Sequence, residues 1–280
     1  MIEQGQQQAG EVARRCRLLG VSRSGFYAAR RRPARTSGGL GAQVQAAFVA
    51  SGACYGSRRL RAALQAQGVT VGRYRVRTLM HALGLKPAWQ RKFIHTTDSR
   101  HDLPVADNVL DRDFSPAAPD RAWVCDITYI RTRRGWLYLA AVMDLYSRKI
   151  VGWAMAPGMP AELVCTALQM AIALRKPQPG LIVHSDRGCQ YASRAHTNLL
   201  ARHGARPSMS RKGNCWDNAV MERFFLNLKM ERVWRRDYAN HREACADVTD
   251  YIVGFYNTER LHSTLGYRSP NHFERLPMAA

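Results

Sequence analysis

The sequence predicts an α/β chain: a mixed sheet of five strands flanked by helices, behind an all-helical N-terminal region. Three apolar, alternating segments follow one another across short polar turns between residues 123 and 155, as in an antiparallel meander. From 160 to 209, segments of helical and strand period alternate, which places helices on both faces of the sheet. Upstream of residue 95 the period is helical throughout, interrupted by Gly-containing turns.

Residues 11–30 read as a helical hairpin, with Ser22 as N-cap of its second helix. Helix, Gly-containing turn and helix outline a helix-turn-helix, and eight arginines fall between Arg14 and Arg35. PARTSGGLG (33–41) reads as a hinge by its Pro and Gly content. A second helical unit follows. Val44, Phe48 and Val49 form one inward face; Leu60, Ala63 and Leu64 a second; Val76, Leu79, Met80 and Leu83 a third. Arg73, Arg75 and Arg77 ride on its last helix or its entry, where a DNA recognition helix, chiefly through phosphate contact, and a solvated face of a small bundle are the two readings. Domain organisation follows: helices over 1–95, a linker of irregular Pro, Asp, Ser and His content over 96–117, and the sheet domain with a helical extension over 118–280.

In the sheet domain the expected strands are Trp123–Arg131, Gly135–Asp144, Lys149–Met155, Leu181–His184 and Arg206–Met209. Helices are expected over Pro160–Arg175, with Leu163, Ala167, Met170 and Leu174 inward, and over Ser193–His203. Two more follow, Asn218 to about Arg232 and Asn240 to Phe255.

Charge narrows the function. Lys and Arg number 42 against 21 Asp and Glu, a formal charge of +21. Such a field attracts polyanions and gives salt-sensitive affinity for nucleic acid. Seven scattered cysteines without a CxxC pair exclude a disulfide framework and a cysteine zinc cluster, and fit a reduced, cytoplasmic setting. The N-terminus lacks the apolar core of a signal peptide. The longest weakly polar stretch, 162–174, is too short to span a bilayer, so no membrane partner is expected.

Three carboxylates stand in informative places: Asp126 in WVCDITYI, Asp186 in LIVHSDRG and Glu222 in DNAVMERFFLNLK. Asp126 lies inside the first strand with Val124 and Thr128 on its face, a costly position unless a cation compensates. Asp186 follows an apolar strand, where open sheets bind ligands. Glu222 lies on a helix, with thirty-five residues between it and Asp186, and Lys229 is two turns further on. Hard oxygen donors suit Mg2+, with Mn2+ as an alternative. A pair of such ions activates an attacking oxygen and stabilises a leaving one. Taken singly, each acid has a plainer role: Asp126 in a turn cap, Asp186 paired with Arg187, Glu222 in a helix-surface salt bridge. SMSRKGNCWDN reads as a loop, either simply flexible or one that orders on DNA through Arg211 and Lys212. Further DNA contacts are expected at Arg23, Arg58, Arg59, Arg73, Arg75, Arg77, Lys229 and Arg260. For YNTERLHSTLGYRSP two readings stand: a DNA-contacting tail through Arg260 and His262, or a lock packing Tyr256 and Leu265 onto the sheet domain.

The motifs RCRLLGVSRSGFY, YGSRRL, VRTLM, WVCDITYI, YLAAVMDLYSRKIVGWAM, HSDRGCQYAS, SMSRKGNCWDNAVMERFFLNLK and YNTERLHSTLGYRSP occur in this order. Together they resemble the OrfB transposases of the insertion sequence 3 family, relatives of retroviral integrases, over about nine-tenths of the chain. The resemblance implies a ribonuclease H-like catalytic domain with metal-binding acids at Asp126, Asp186 and Glu222 and a basic catalytic residue at Lys229. It implies an N-terminal helix-turn-helix-like region, DNA (element ends and target) as partner, and multimers on DNA. An OrfA partner, or a frameshift fusion with it, is also implied, as is a bacterial, nucleoid-associated location. The His-His-Cys-Cys zinc pattern of retroviral integrases is missing. The expected activity is metal-dependent cleavage and strand transfer of DNA. A ribonuclease H-like nuclease that only cuts, and a DNA-binding regulator, are the rivals.

Overall fold

The computed structural model describes residues 9–31, 38–87, 104–212 and 214–276. Residues 33–37 of the expected hinge and 96–103 of the expected linker lie outside them.

Two helices, α1 (Ala9–Leu18) and α2 (Arg23–Arg31), form the N-terminal hairpin. Gly20 turns the chain between them at φ +63°, and Ser22 caps α2 by accepting a hydrogen bond from the Gly25 N–H at 3.1 Å. Helices α3 (Gly38–Ala50), α4 (Ser57–Ala66) and α5 (Arg73–Ala82) make a separate small core of Val44, Phe48, Leu60, Leu64, Val76, Leu79 and Met80. Val49 and Leu83, expected inside, are 67% and 42% exposed. Val49 sits about 100° round the helix from Phe48, and Leu83 is the C-cap residue, already off the helical path.

Residues 107–110 run along the far edge of the sheet. The Val109 and Leu110 N–H groups donate to Ser208 Oγ at 2.9 and 3.0 Å, and Leu110 enters the core. Strands β1 (Ala122–Thr132), β2 (Gly135–Asp144) and β3 (Ile150–Ala156) pair antiparallel in sequence. Helix α6 (Ala161–Arg175), β4 (Ile182–Ser185), α7 (Arg194–Arg202) and β5 (Arg206–Met209) follow. The strand order is β3-β2-β1-β4-β5, with β4 and β5 parallel to their neighbours. Each strand begins and ends within about a residue of its expected place, because alternation of apolar residues is the signal that sets a half-buried strand.

The pleat of β1 decides what meets what. Trp123 and Cys125 point into a core built with α6 and α7. Val124 and Ile130 point the other way, into a core shared with α8 (Ala219–Glu231) and α9 (His241–Asp250). Asp126 and Thr128 belong to this second face by parity. Helix α6 lies so close to β3 that a Cβ at Gly152 would come within 2.2 Å of the Ala167 carbonyl. Its buried stripe is Leu163, Val164, Ala167, Leu168 and Ala171; Leu174 has rotated off it and is exposed. After α9 the helix widens into a π-helical turn over 251–256, which turns both Tyr251 and Tyr256 inward. Arg175 ties the sheet to the last helix, α10 (Pro270–Glu274), by pairing with Asp120, Asp144 and Glu274 at 2.8, 3.2 and 3.0 Å. No helix among the described residues is long and apolar enough to cross a membrane.

Candidate active site and nucleic-acid interface

Strand register brings the first two acids together. On the parallel pair β1–β4, Ala122 faces Ile182, Trp123 faces Val183 and Val124 faces His184. Each partner is sixty positions on, so the same register sets Asp126 level with Asp186, one step beyond the end of β4. Asp126 is half-buried, and its Oδ1 accepts the Ile127 N–H at 2.8 Å. Burial first, then the charge of Asp186, and more weakly that of Glu222, push its carboxyl well above the usual range. Asp186 closes a tight turn, its Oδ1 accepting the Gly188 N–H at 2.9 Å. A Cβ at Gly188 would approach that oxygen to 3.0 Å and Gln190 Oε1 to 3.1 Å, so glycine keeps the turn open. Arg187 sends its Nε to the Ser210 carbonyl at 2.7 Å.

Helix α8 delivers the third acid. Met221, Phe224, Phe225 and Leu228 are buried against the β1 face that carries Asp126, each contributing roughly 1.5–3 kcal/mol. Glu222, one position after Met221, is left on the exposed side of the first turn. Lys229 lies half-buried with its Nζ 4.3 Å from the centre of the Tyr129 ring, which in turn meets Trp136 edge-on at 4.9 Å. Burial lowers the Lys229 pKa, and the charge of Asp126 opposes that shift. Among the described residues, no three His, Cys, Asp or Glu side chains are gathered closely enough to enclose an ion as the chain stands. The donor chemistry nonetheless fits a hard divalent cation: carboxylates only, two of them level on neighbouring strands, with a mutual repulsion that a cation would relieve.

Sequence reasoning missed the residues that set α8 in place. Asp217 is fully buried and gathers the segments around the site. Its carboxylate accepts from Arg112 Nε at 2.7 Å, Arg211 Nε at 3.0 Å, the Arg211 N–H at 2.9 Å and Asn108 Nδ2 at 3.1 Å. These bonds hold its carboxyl well below the ordinary range. Next to it, Asn218 Nδ2 donates to the Cys125 carbonyl at 3.2 Å, joining the start of α8 to the residue before Asp126. His184, fully buried on β4, bridges Ser208 and Ser210 at 2.9 and 3.2 Å, and burial pushes its pKa down to about 4. The one hint in the sequence was an acid following two cations in RKGNCWD. Replacing Asp217 with Ala should cost about 2–3 kcal/mol, read as a lower melting temperature and faster proteolysis within 210–214. Because the folded pKa is depressed, the stabilisation is full above the unfolded value near 3.9 and lost as pH falls below it. Asp217→Asn should therefore flatten the acid limb of the stability profile.

The expected DNA contacts divide. Arg23, Arg58 and Arg77 are exposed, and Arg75 is half-exposed. Arg73, Arg77 and His81, at steps of four along α5, line a cleft of about 290 Å³ with Ser57 and Lys86. Arg73 Nε is buried there without a hydrogen-bond partner. Lys212 is exposed, whereas Arg211 is spent on Asp217 and on Asp111, the latter at 3.0 Å. Arg59 is turned inward, its Nε donating to the Leu261 carbonyl at 3.0 Å. Arg260 is a correction: it is 1% exposed, so it presents nothing to DNA. Its Nε and Nη2 each reach Glu231 at 2.8 Å, and Tyr251 donates its hydroxyl to the same carboxylate at 2.6 Å. His262 is buried beside the Tyr256 ring, 4.9 Å between centroids, and Leu265 is buried as well. The YNTERLHSTLGYRSP segment packs as the lock that was its second reading.

Comparison with known proteins matches this architecture part by part. Residues 39–93 match the HTH-like domain, and residues 116–215 and 203–270 match two descriptions of the integrase core domain. The chain is 43% identical over 270 residues to the transposase InsF for insertion sequence IS3A of Escherichia coli, covering 94% of each. It is 43% identical over 262 residues to the insertion element IS600 uncharacterized 31 kDa protein of Shigella sonnei, covering 92% of this chain and 96% of that one. A chain of the simian T-cell lymphotropic virus intasome in complex with PP2A regulatory subunit B56 gamma has a similar fold. It has a TM-score of 0.50 and 16% identity, covering 79% of this chain and 72% of that one. The helical unit, the mixed sheet and the three acids thus belong to a chain of the integrase-core family of insertion-sequence transposases, the family of InsF.

Proposed function

We propose that this chain is the transposase of an insertion sequence, cutting DNA at the element ends and joining the freed 3′-hydroxyl to target DNA at one site. The observation that carries this reading is the register that sets Asp126 level with Asp186, beneath the helix that presents Glu222 and Lys229. These three acids would hold Mg2+, or Mn2+, as two ions once DNA is bound. The ions would activate the attacking oxygen and stabilise the leaving one.

The remaining work belongs to the chain's own groups. Lys229 offers its ammonium to a phosphate from a half-desolvated position over Tyr129, where a cation binds an anion more strongly than in open water. Asn218 ties the start of α8 to β1, and Asp217 ties it to Asn108, Arg112 and Arg211, so that Glu222 keeps its place. Arg23, Arg58, Arg75, Arg77 and Lys212, with the Arg73 cleft, supply phosphate contacts along the helical unit and the site loop. The enzyme works as a multimer on paired element ends, alone or with an OrfA partner or fusion.

Two rivals are separated by one assay. An oligonucleotide ending in a free 3′-hydroxyl is incubated with a supercoiled target plasmid and Mg2+, with and without the upstream partner protein. Joined product is expected. Nicks without joining would make the chain a nuclease, and end binding without either product would make it a regulator.

A further inference from the structure

The geometry points to a fixed joint between the helical unit α3–α5 and the far end of the catalytic helix, which sets the distance from bound DNA to the acids; this rests on the transposase reading above. Tyr55, just before α4, is its centre. The Tyr55 hydroxyl donates to the Glu259 carbonyl at 3.3 Å and accepts the Leu261 N–H at 2.8 Å. Arg59, one turn on and 5.7 Å over the Tyr55 ring, takes the Leu261 carbonyl. The helical unit therefore grips the backbone on both sides of Arg260, whose side chain grips Glu231. A second tie runs directly to α8. Arg235 Nη1 donates to the Gly52 carbonyl at 2.6 Å and lies 3.4 Å from the carbonyl of Glu231. Leu261 and Phe255 fill the space between by packing into the helical core.

The Arg260–Glu231 bonds are buried and those of Tyr55 and Arg59 are part-buried, where water replaces a broken partner poorly, so the joint favours one geometry. Helix α8 rises nine steps from Glu222 to Glu231, roughly 14 Å of rigid rod between acid and joint. DNA held on the exposed arginines of α4 and α5 is thereby held at a set span from the site. We identify Tyr55, Arg59 and Arg235 as positioning residues that act through α8.

A set span makes cleavage intolerant of spacing. One base pair inserted between the protein-bound segment of an element end and its scissile phosphate moves that phosphate about 3.4 Å and turns it by about 35°. The wild-type protein should cut such an end roughly 100-fold more slowly than the natural one, since misplacement by about 1 Å can cost that much. The Tyr55→Phe/Arg59→Met variant, and separately Arg235→Ala, should keep end binding while the penalty shrinks to about ten-fold or less. Two results would overturn the joint. In one, the wild type cuts the lengthened end within about three-fold of the natural one. In the other, both variants keep the full penalty. If the wild type cuts neither end, the transposase reading fails instead.

Discussion

Asp126→Asn and Asp186→Asn should each abolish both end cleavage and strand transfer, by roughly 10³-fold or more, equivalent to about 4 kcal/mol of transition-state stabilisation. Binding to element ends should survive, because the exposed cations lie on α2, α4, α5 and the 211–212 loop. Both reactions should fall together, since one site serves them. Loss of joining with cleavage intact would mean that the two reactions use different groups. Asp126 is the sharper case. Its carboxyl is held up by burial and by Asp186, so the asparagine should fold at least as well as wild type, and a stable, inactive protein is the expected phenotype. Circular dichroism melts alongside the cleavage assay check both halves.

Arg260→Met should be the most destabilising change outside the core. It leaves Glu231 buried with the Tyr251 hydroxyl but without its cation, a loss of about 3–5 kcal/mol. For a chain of this size that is a fall in melting temperature on the order of 10 °C. Glu231→Gln/Arg260→Met should recover most of it, because no uncompensated charge then remains. A DNA-contacting Arg260 would behave oppositely: the melting temperature would hold, and the salt dependence of DNA binding would weaken by about one counterion.

The strands were legible because each carries its own alternation, and the acids because each stands beside such a pattern. Asp126 and Glu222 could be assigned to a strand and a helix from local residues alone. That Asp126 lies level with Asp186 needed the parallel register of β1 and β4, which local sequence does not carry. Arg260 was misjudged for a related reason. A Lys- and Arg-rich chain makes every arginine look like a phosphate ligand, and the partner that withdraws this one, Glu231, lies 29 residues earlier at the end of α8. Asp217 escaped notice because Arg112 reaches it from 105 residues away. Leu174 and Val49 failed on small errors of helical phase. Patterns within one element were readable; pairings between elements were not.

The central claim is that Asp126, Asp186 and Glu222 form one metal-binding centre on DNA. Mn2+ titrated into the complex of the protein with an element end, followed by electron paramagnetic resonance of the free ion, tests it without relying on turnover. Wild-type complex should remove Mn2+ from solution, and Asp126→Asn and Asp186→Asn complexes, with DNA still bound, should lose that uptake. Equal Mn2+ uptake by all three complexes would contradict the assignment.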